Sequence, residues 1–207
     1  MFWDNIAGIY DVFVNVINKK THIGLCSKME EFITSDDEVL ECACGTGMLS
    51  VVIARKCKSL IATDFSVKML KKARRKYGKY GNVEFKCGNI LQIEYPDASF
   101  DVVVAANVLH LLDEPYKALH ELNRVCRKGG KLIIPTYINK NAAGKTGKFV
   151  TTIGKAGANF KRQFTSESYK SFFEEAGYEN VEITLIEGYI PCAVAVMNKK
   201  LQNYPLC

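Results

Sequence analysis

The chain has 207 residues and a mass of 23.2 kDa, which suits one domain with a sizeable buried core. Its 48% hydrophobic and 24% charged residues exclude a disordered chain or a fibre, and no apolar stretch reaches the roughly 20 residues of a membrane span. The net charge is +6 and the N-terminus lacks the basic region of a secretory signal, so we expect a cytoplasmic protein with at most peripheral membrane contact.

The first part of the chain, residues 1–35, has the apolar spacing of a helix. One face would carry Ile6, Ile9, Tyr10, Phe13 and Ile17. We expect this segment to form a helical lid over the rest of the domain.

Strands and helices alternate after the lid. Short apolar runs predict strands at 39–41, 60–63, 83–87, 100–105, 131–137, 181–186 and 192–197. Helices are predicted at 48–56, from a Ser66 cap to Gly78, from Pro115 to before Gly129, and from a cap at Thr165 or Ser166 to Ala176.

This alternation predicts an α/β fold: a Rossmann-like, doubly wound, mostly parallel sheet of seven strands with helices on both faces. The last two strands are close in the chain and are expected to form an antiparallel pair at one edge. No repeat or linker marks a second domain, so residues 1–207 are expected to form one domain. Residues 138–164, inserted before the last helix, are expected to cover a substrate.

The cysteines and histidines do not have the spacing of a metal site. There is no C-x-x-C pair, and none of the three histidines lies at a zinc-ligand distance from a cysteine. Reduced thiols that pack as small hydrophobic groups are expected at Cys42, Cys44, Cys57, Cys87 and Cys192. The sequence therefore predicts no metal.

Positive charge is concentrated in two segments. Between Leu122 and Ser166 there is no Asp or Glu but there are ten Lys or Arg residues, and a second basic run covers Lys68–Lys76. Such runs contact phosphate groups or form solvated faces, and the helical spacing of Lys68–Lys76 favours the solvated face.

Residues suited to ligand binding follow the predicted strands, where doubly wound sheets bind their ligands. Gly45 and Gly47 frame a turn that lets the backbone approach a ligand at the start of a helix. Asp64 ends the second strand, where a carboxylate accepts bonds from both ribose hydroxyls. The third and fourth strands are followed by Asn89–Ile90 and Asn107–His110.

In this order and spacing, the chain resembles the class I S-adenosylmethionine-dependent methyltransferases, especially the small UbiE-like group, over about residues 35–185. The matching segments are Val39–Gly47, Ala62–Leu70, Ser99–Val103, Asn107–His110, Glu121–Gly130 and Phe172–Tyr178. Three positions depart from the usual pattern: Glu41 replaces Asp, Ala43 replaces Gly and Asn89 replaces Asp. Glu41 keeps the charge of Asp, Ala43 keeps a small side chain, and Asn89 keeps an oxygen that can accept a hydrogen bond.

The resemblance implies S-adenosyl-L-methionine as cofactor and S-adenosyl-L-homocysteine as its product. It assigns the ribose hydroxyls to Asp64. The residues implied around the methionine part and the ribose are Tyr10, Glu41, Ala43, Cys44, Gly45, Gly47 and Asn107. Those implied around the adenine are Phe65, Met69, Asn89 and Ile90.

His110 and Tyr10 are the candidate catalytic residues. In the related phosphoethanolamine methyltransferases a Leu-His at the comparable place works with an N-terminal Tyr, so His110 and Tyr10 are expected to form a general-base pair. Two alternatives stay open: His110 orders its loop, and Tyr10 is a core aromatic of the lid.

The expected function is methyl transfer to a small molecule or lipid headgroup, by in-line displacement at the sulfonium methyl. The acid-free segment motivates the hypothesis of an acceptor bearing a phosphate or carboxylate. Alternatives are a nucleic-acid or protein methyltransferase, a non-catalytic cofactor-binding protein and, at lower weight, an NAD-dependent oxidoreductase, since Ser50 stands where the dinucleotide fingerprint has its third glycine. Residues 139–146 resemble a phosphate-binding loop but lack its first glycine.

Overall fold

A computed structural model of the chain describes residues 11–139 and 161–199. In these ranges the strands are β1 (Glu38–Cys42), β2 (Ser59–Asp64), β3 (Val83–Cys87), β4 (Phe100–Ala105), β5 (Cys126–Tyr137), β6 (Glu182–Ile186) and β7 (Cys192–Asn198). The α-helices are α1 (Lys19–Phe32), α2 (Ser50–Ala54), α3 (Val67–Tyr77), α4 (Pro115–Val125) and α5 (Ser166–Glu175). A π-helical turn, Phe13–Ile17, precedes α1, and a 3₁₀ turn, Leu109–Leu111, follows β4.

The strands form one seven-stranded sheet in the order β3-β2-β1-β4-β5-β7-β6. Strand β7 pairs antiparallel with β5 and β6, and the remaining pairs are parallel, which confirms the predicted Rossmann-like fold and its antiparallel edge. The chain runs outward from β1 to β3 and then returns to β4 on the other side of β1. This reversal opens a crevice beyond the carboxyl ends of β1 and β4, where such sheets bind ligands.

Each face of the sheet buries its own hydrophobic cluster. On one face, α4 and α5 contribute Leu119, Leu122 and Phe173, which are almost completely buried. On the other, α1 and α2 contribute Met29 and Ile53. Burial of such side chains stabilises the fold by about 1.5–3 kcal/mol each and fixes the sheet as a rigid base for the crevice.

Two helix caps predicted from the sequence are confirmed. The Ser66 hydroxyl accepts a hydrogen bond from the Met69 N–H at 3.2 Å, and Thr165 forms a capping box with Ser168. Two other predicted boundaries are wrong. Helix α2 is shorter than residues 48–56, and β5 begins at Cys126 rather than at 131.

The early start of β5 has a local cause. The pairing of β4 with β5 shifts from Phe100–Cys126 to Val102–Lys131, so a bulge takes up the extra residues. A Cβ atom on Gly130 would lie 2.5 Å from the Asp101 carbonyl oxygen, so only glycine lets the two strands approach there. Gly129 and Gly130 therefore lie inside β5 and do not separate the strand from the preceding helix.

The N-terminal segment is attached to the β6–β7 connection. The Thr21 hydroxyl donates to the Ile190 carbonyl at 2.8 Å, and the Ile190 N–H donates to Asn18 Oδ1 at 2.9 Å. Ile17, predicted on the buried face, is 51% exposed, because the π-helical turn holds more residues per turn than the α-helix from which that face was predicted. Val14 and Asn18 are buried instead.

Several expectations fall outside the described residues. They concern Ile6, Ile9 and Tyr10 of the lid, and residues 140–160 of the expected cover with their lysines, Phe149, Phe160 and most of the segment that resembles a phosphate-binding loop. None of the helices in residues 11–139 and 161–199 is long and apolar enough to cross a membrane.

The cysteines of the described residues are free thiols. Cys42, Cys44, Cys57 and Cys192 are buried, as predicted. Cys87 is exposed, and its expected packing in the core is wrong, because β3 is the edge strand and its last residue faces solvent.

Candidate active site

The crevice beyond β1 and β4 has a volume of about 470 Å³. It is lined by residues of α1, of the turn after β1, of the segments that follow β2, β3 and β4, and of the end of β5. The sequence-predicted site residues that line it are Glu41, Ala43, Cys44, Gly45, Asp64, Phe65, Met69, Asn89, Ile90, Asn107 and His110. The fold thus brings together residues that are up to 69 positions apart in the chain.

The turn after β1 presents its backbone to the crevice. Ala43 and Gly45 have φ angles of 56° and 57°, in the left-handed region. This conformation costs a residue with a Cβ about 1–2 kcal/mol, so Ala43 is strained and Gly45 is not. A Cβ on Gly45 would meet no atom within 4 Å, so open space lies in front of this turn.

Gly47 lies behind the turn and is not part of the crevice lining. Its φ is 81°, and a Cβ there would lie 2.9 Å from Tyr77 Cδ2 and 3.2 Å from the Ala73 Cβ. Packing against α3 therefore explains this glycine without a ligand. The sequence predicted both Gly45 and Gly47 at the ligand, and of the two only Gly45 lines the crevice.

The Asp64 carboxylate is oriented by two backbone donors. The Gly45 N–H donates to its Oδ2 at 2.8 Å, and the Ser66 N–H donates to its Oδ1 at 2.8 Å. A carboxylate oxygen has two lone pairs and can accept more than one hydrogen bond. Asp64 is held at the crevice in a fixed orientation that suits a vicinal diol.

Glu41 is a buried acid at the inner end of the crevice. The residue is 2% exposed, and its Oε2 accepts a hydrogen bond from the Ser50 hydroxyl at 2.5 Å. Burial, with a smaller contribution from the Asp64 charge, raises the pKa of Glu41 to about 8, against the lowering effect of the Ser50 bond. A cation placed beside Glu41 would favour its ionised form.

The side of the crevice next to β2 and β3 is mostly apolar. Met69 is buried, Ile90 is half-buried, and Phe65 is 59% exposed above the end of β2. The Asn89 Oδ1 accepts a hydrogen bond from the Leu91 N–H at 2.9 Å, so it already holds its own loop. Only the second lone pair of that oxygen remains for the adenine amine that the sequence assigned to it.

Asn107 joins the ends of β4 and β5. Its φ is 53°, a conformation that asparagine tolerates better than most residues. Its Oδ1 accepts from the Tyr137 N–H at 2.9 Å, and its own N–H donates to the Pro135 carbonyl at 2.8 Å. These bonds fix the part of the crevice wall between the end of β4 and the 3₁₀ turn.

His110 lies in the 3₁₀ turn and is 6% exposed as a residue. Burial, with a smaller effect of the Arg162 charge, lowers the pKa of the imidazole to about 4. The side chain is therefore neutral near pH 7 and has a nitrogen that can take a proton.

Several lining residues were missed in the sequence, among them His22, Val14, Leu25, Thr46, Met48, Leu111, Leu112 and Tyr137. His22 shares one face of α1 with Leu25 and Met29, and this spacing is the signal that would have found it. Burial lowers its pKa, and its Nε2 lies 3.6 Å from the Cys26 Sγ. The crevice therefore contains a second histidine.

The N-terminal segment reaches the glycine turn through Asp11. The Thr46 hydroxyl donates to Asp11 Oδ1 at 2.5 Å, and Lys76 of α3 pairs with the other oxygen. Tyr10, the second candidate catalytic residue, lies outside the described residues. In the described part of the chain no group of three or more His, Cys, Asp or Glu side chains is placed to hold a metal ion.

A family model described as a methyltransferase domain matches residues 40–134 of this chain. The match begins in β1, ends in β5 and includes each loop of the crevice between those strands.

Curated relatives are similar over a longer part of the chain. The ubiquinone/menaquinone biosynthesis C-methyltransferase UbiE of Bdellovibrio bacteriovorus is 31% identical over 137 residues, which cover 64% of this chain and 58% of that protein. A demethylmenaquinone methyltransferase of Staphylococcus saprophyticus is 26% identical over 209 residues, with 90% of each chain covered.

Solved methyltransferase structures share the fold. A SAM-dependent methyltransferase of Thermotoga maritima has a TM-score of 0.77 at 19% identity and covers 96% of this chain and 99% of its own. The methyltransferase bound to the Trm112 activator of Haloferax volcanii has a TM-score of 0.78 at 15% identity, with 98% of each chain covered.

Proposed function

We propose that this chain, a class I S-adenosylmethionine-dependent methyltransferase similar to UbiE, methylates a ring carbon of a hydroxylated aromatic acceptor of the quinol type. S-adenosyl-L-methionine is the cofactor, and the acceptor is a small molecule. The observation that carries the proposal is that one crevice is lined by two acids, Glu41 and Asp64, which form its acidic part, and by His110 together with many apolar residues.

The acidic part fits the cofactor. Asp64 offers two oriented oxygens to the ribose hydroxyls, and Glu41 offers a buried carboxyl to the cationic amino-acid end. Met69 and Ile90 give an apolar surface for the adenine. When bound, the cofactor supplies an electrophilic methyl group and leaves with the electron pair of the broken carbon–sulfur bond.

In our proposal the chain aligns the acceptor, excludes water and accepts one proton. The neutral imidazole of His110 takes the proton of the acceptor hydroxyl, which makes the neighbouring ring carbon nucleophilic. After the new carbon–carbon bond forms, the hydrogen of that ring carbon leaves as a proton and the ring hydroxyl is restored. Alignment in a closed crevice supplies on the order of 7–11 kcal/mol of the barrier.

The acceptor class is supported by two observations. The names of the two curated relatives refer to ubiquinone and menaquinone or to demethylmenaquinone. Of the described residues that line the crevice, none is Lys or Arg, and many are apolar, among them Val14, Leu25, Leu111 and Leu112. An uncharged aromatic ring suits this lining better than a phosphate group does.

The hypothesis of an anionic acceptor or lipid headgroup remains a prediction. It rests on the acid-free segment between Leu122 and Ser166, most of whose central lysines, including Lys145, Lys148 and Lys155, lie outside the described residues. Those lysines would have to reach the crevice from the cover for such an acceptor to bind.

The test is a methyl-transfer assay with three acceptors: a reduced short-chain demethylmenaquinone, a phosphate-bearing headgroup such as phosphoethanolamine, and a primary amine. We expect a methylated ring carbon on the quinol, identified by tandem mass spectrometry, and formation of S-adenosylhomocysteine in equal amount. Asp64→Ala is the control with an impaired cofactor site. Methylation of phosphoethanolamine or the amine, with the quinol unchanged, would contradict the acceptor class.

A further inference from the structure

The 3₁₀ turn that carries His110 receives its side-chain hydrogen bonds from Arg162, which does not line the crevice. The Arg162 Nη1 donates to the Leu112 carbonyl at 2.8 Å and to the Leu109 carbonyl at 3.2 Å. The Arg162 N–H also donates to the His110 carbonyl, at 3.3 Å. One side chain and its own backbone thus bind carbonyl groups at the start, middle and end of the turn.

Arg162 is itself anchored in the core. Residues 161–164 lead into α5, and the Asn139 N–H at the end of β5 donates to the Phe164 carbonyl at 2.9 Å. The Phe164 ring is buried and lies 4.9 Å from the ring of Tyr169, whose hydroxyl donates to the Ile134 carbonyl at 2.6 Å. The backbone that carries Arg162 is therefore attached to the sheet, and the residue itself is partly buried.

A single 3₁₀ turn is weak on its own. Its hydrogen-bond geometry is poorer than that of an α-helix, and within the turn the Leu109 carbonyl receives only a long bond, 3.4 Å, from the Leu112 N–H. Charge-assisted bonds to such carbonyls are about twice as strong as neutral ones. Without the Arg162 side chain, the carbonyls of Leu109 and Leu112 would lose that donor. The turn would then lose its side-chain hydrogen bonds to the segment that leads into α5.

We propose that Arg162 is a positioning residue of the methyl-transfer site: its guanidinium clamps the 3₁₀ turn so that the His110 imidazole stays directed into the crevice. This inference rests on the proposed function for His110 as proton acceptor. Arg162 itself does not line the crevice and does not contact the reacting groups.

The neighbouring Lys161 gives a matched control. Its N–H donates to the His110 carbonyl at 3.0 Å, but its ammonium group pairs with the exposed Asp113 at 2.6 Å. Lys161→Gln therefore removes one positive charge from the same segment and leaves the bonds from Arg162 to the turn in place. Arg162→Gln removes both the charge and the bidentate clamp, and Arg162→Lys keeps the charge but not the planar geometry.

A titration of the histidine imidazoles by NMR tests the clamp without an activity assay. The chain has three histidines, and His110→Asn assigns the signal. The other ionisable side chains that line the crevice or flank the turn are His22, Glu41, Cys44, Asp64, Asp113, Tyr137 and Lys161. These are unchanged in Arg162→Gln, so we expect the His110 titration to move upward by on the order of one pH unit, because a nearby positive charge is lost.

Turnover gives the second measurement. We expect kcat to fall by about 10–100-fold in Arg162→Gln, as expected for the loss of positioning of a general base, while the affinity for S-adenosylhomocysteine stays within about twofold. The acid limb of the pH profile should move upward in Arg162→Gln and stay in place in Arg162→Lys, whose kcat is nevertheless reduced. Lys161→Gln should match the wild type.

The outcomes separate the two proposals. An unchanged His110 titration in Arg162→Gln, or the same kcat and pH profile as Lys161→Gln, would overturn the clamp. If Arg162→Gln fails to fold, Arg162→Lys decides, since a wild-type kcat in that variant also overturns the clamp. A wild-type chain that methylates none of the acceptors contradicts the proposed function, while the NMR titration still tests the clamp.

Discussion

Replacement of Glu41 by Gln is expected to stabilise the free protein and to weaken its binding of S-adenosylmethionine. The folded chain raises the pKa of Glu41 from 4.5 to about 8. A carboxyl group with a raised pKa in the folded state costs stability as the pH rises from the unfolded value to the folded one. Near pH 7 this cost is on the order of 3 kcal/mol, since each pKa unit corresponds to 1.36 kcal/mol.

The same pKa fixes the proton balance of cofactor binding. With a pKa of about 8, Glu41 holds roughly 0.9 of a proton in the free protein near pH 7. The cationic end of the cofactor favours the carboxylate, so binding should release nearly one proton. The dissociation constant should therefore fall about tenfold for each pH unit of increase up to the pKa and level off above it.

Calorimetric titrations in two buffers of different ionisation enthalpy measure this proton directly. We expect proton release in the wild type and none from this site in Glu41→Gln, whose affinity should be lower and independent of pH. Thermal unfolding near pH 7 should give a higher Tm for Glu41→Gln. Two results would refute the placement of the cofactor's cationic end at Glu41. One is binding without proton release in the wild type, and the other is a dissociation constant that depends on pH as steeply in Glu41→Gln as in the wild type.

Three further outcomes follow from the same geometry. Asp64→Ala should raise the dissociation constant for S-adenosylhomocysteine by about 100-fold or more, since two charge-assisted hydrogen bonds of about 1.5–3 kcal/mol each would be lost; unchanged affinity in calorimetry would remove the ribose assignment. Gly47→Ala should lower the unfolding free energy by about 1–3 kcal/mol in chemical denaturation because of its positive φ and the contact with Tyr77, and an unchanged midpoint would contradict that packing. His110→Asn should lower kcat by about 100-fold or more with cofactor affinity retained, and full turnover would show that no proton passes through the imidazole.

The order of elements was predictable because each local signal agreed with the fold. The apolar run Phe100–Ala105 predicted a strand buried on both faces, and Ser66 and Thr165 predicted caps that form as expected. The start of β5 was not predictable from local signals. Gly129 and Gly130 are typical of a turn, but here the second glycine permits close contact between strands.

The part of the crevice at the strand ends was also predictable, since the topology brings the carboxyl ends of parallel strands to one edge. Asp64 could be placed there for that reason alone, whereas Glu41 was assigned from the resemblance to the class I methyltransferases. The other side depends on how α1 and the turn after β4 pack across that edge, and no local pattern encodes such contacts. His22 and Arg162 were therefore missed, although the first shares a helix face with core residues and the second stands in the basic segment.

A crystal structure of the chain with S-adenosylhomocysteine is the most direct test of the central claim. We expect both ribose hydroxyls within hydrogen-bond distance of the Asp64 carboxylate, with the amino group of the homocysteine near Glu41 and the sulfur directed toward the side of the crevice that holds His110. A nucleoside bound elsewhere, or bound with its ribose away from Asp64, would contradict the account.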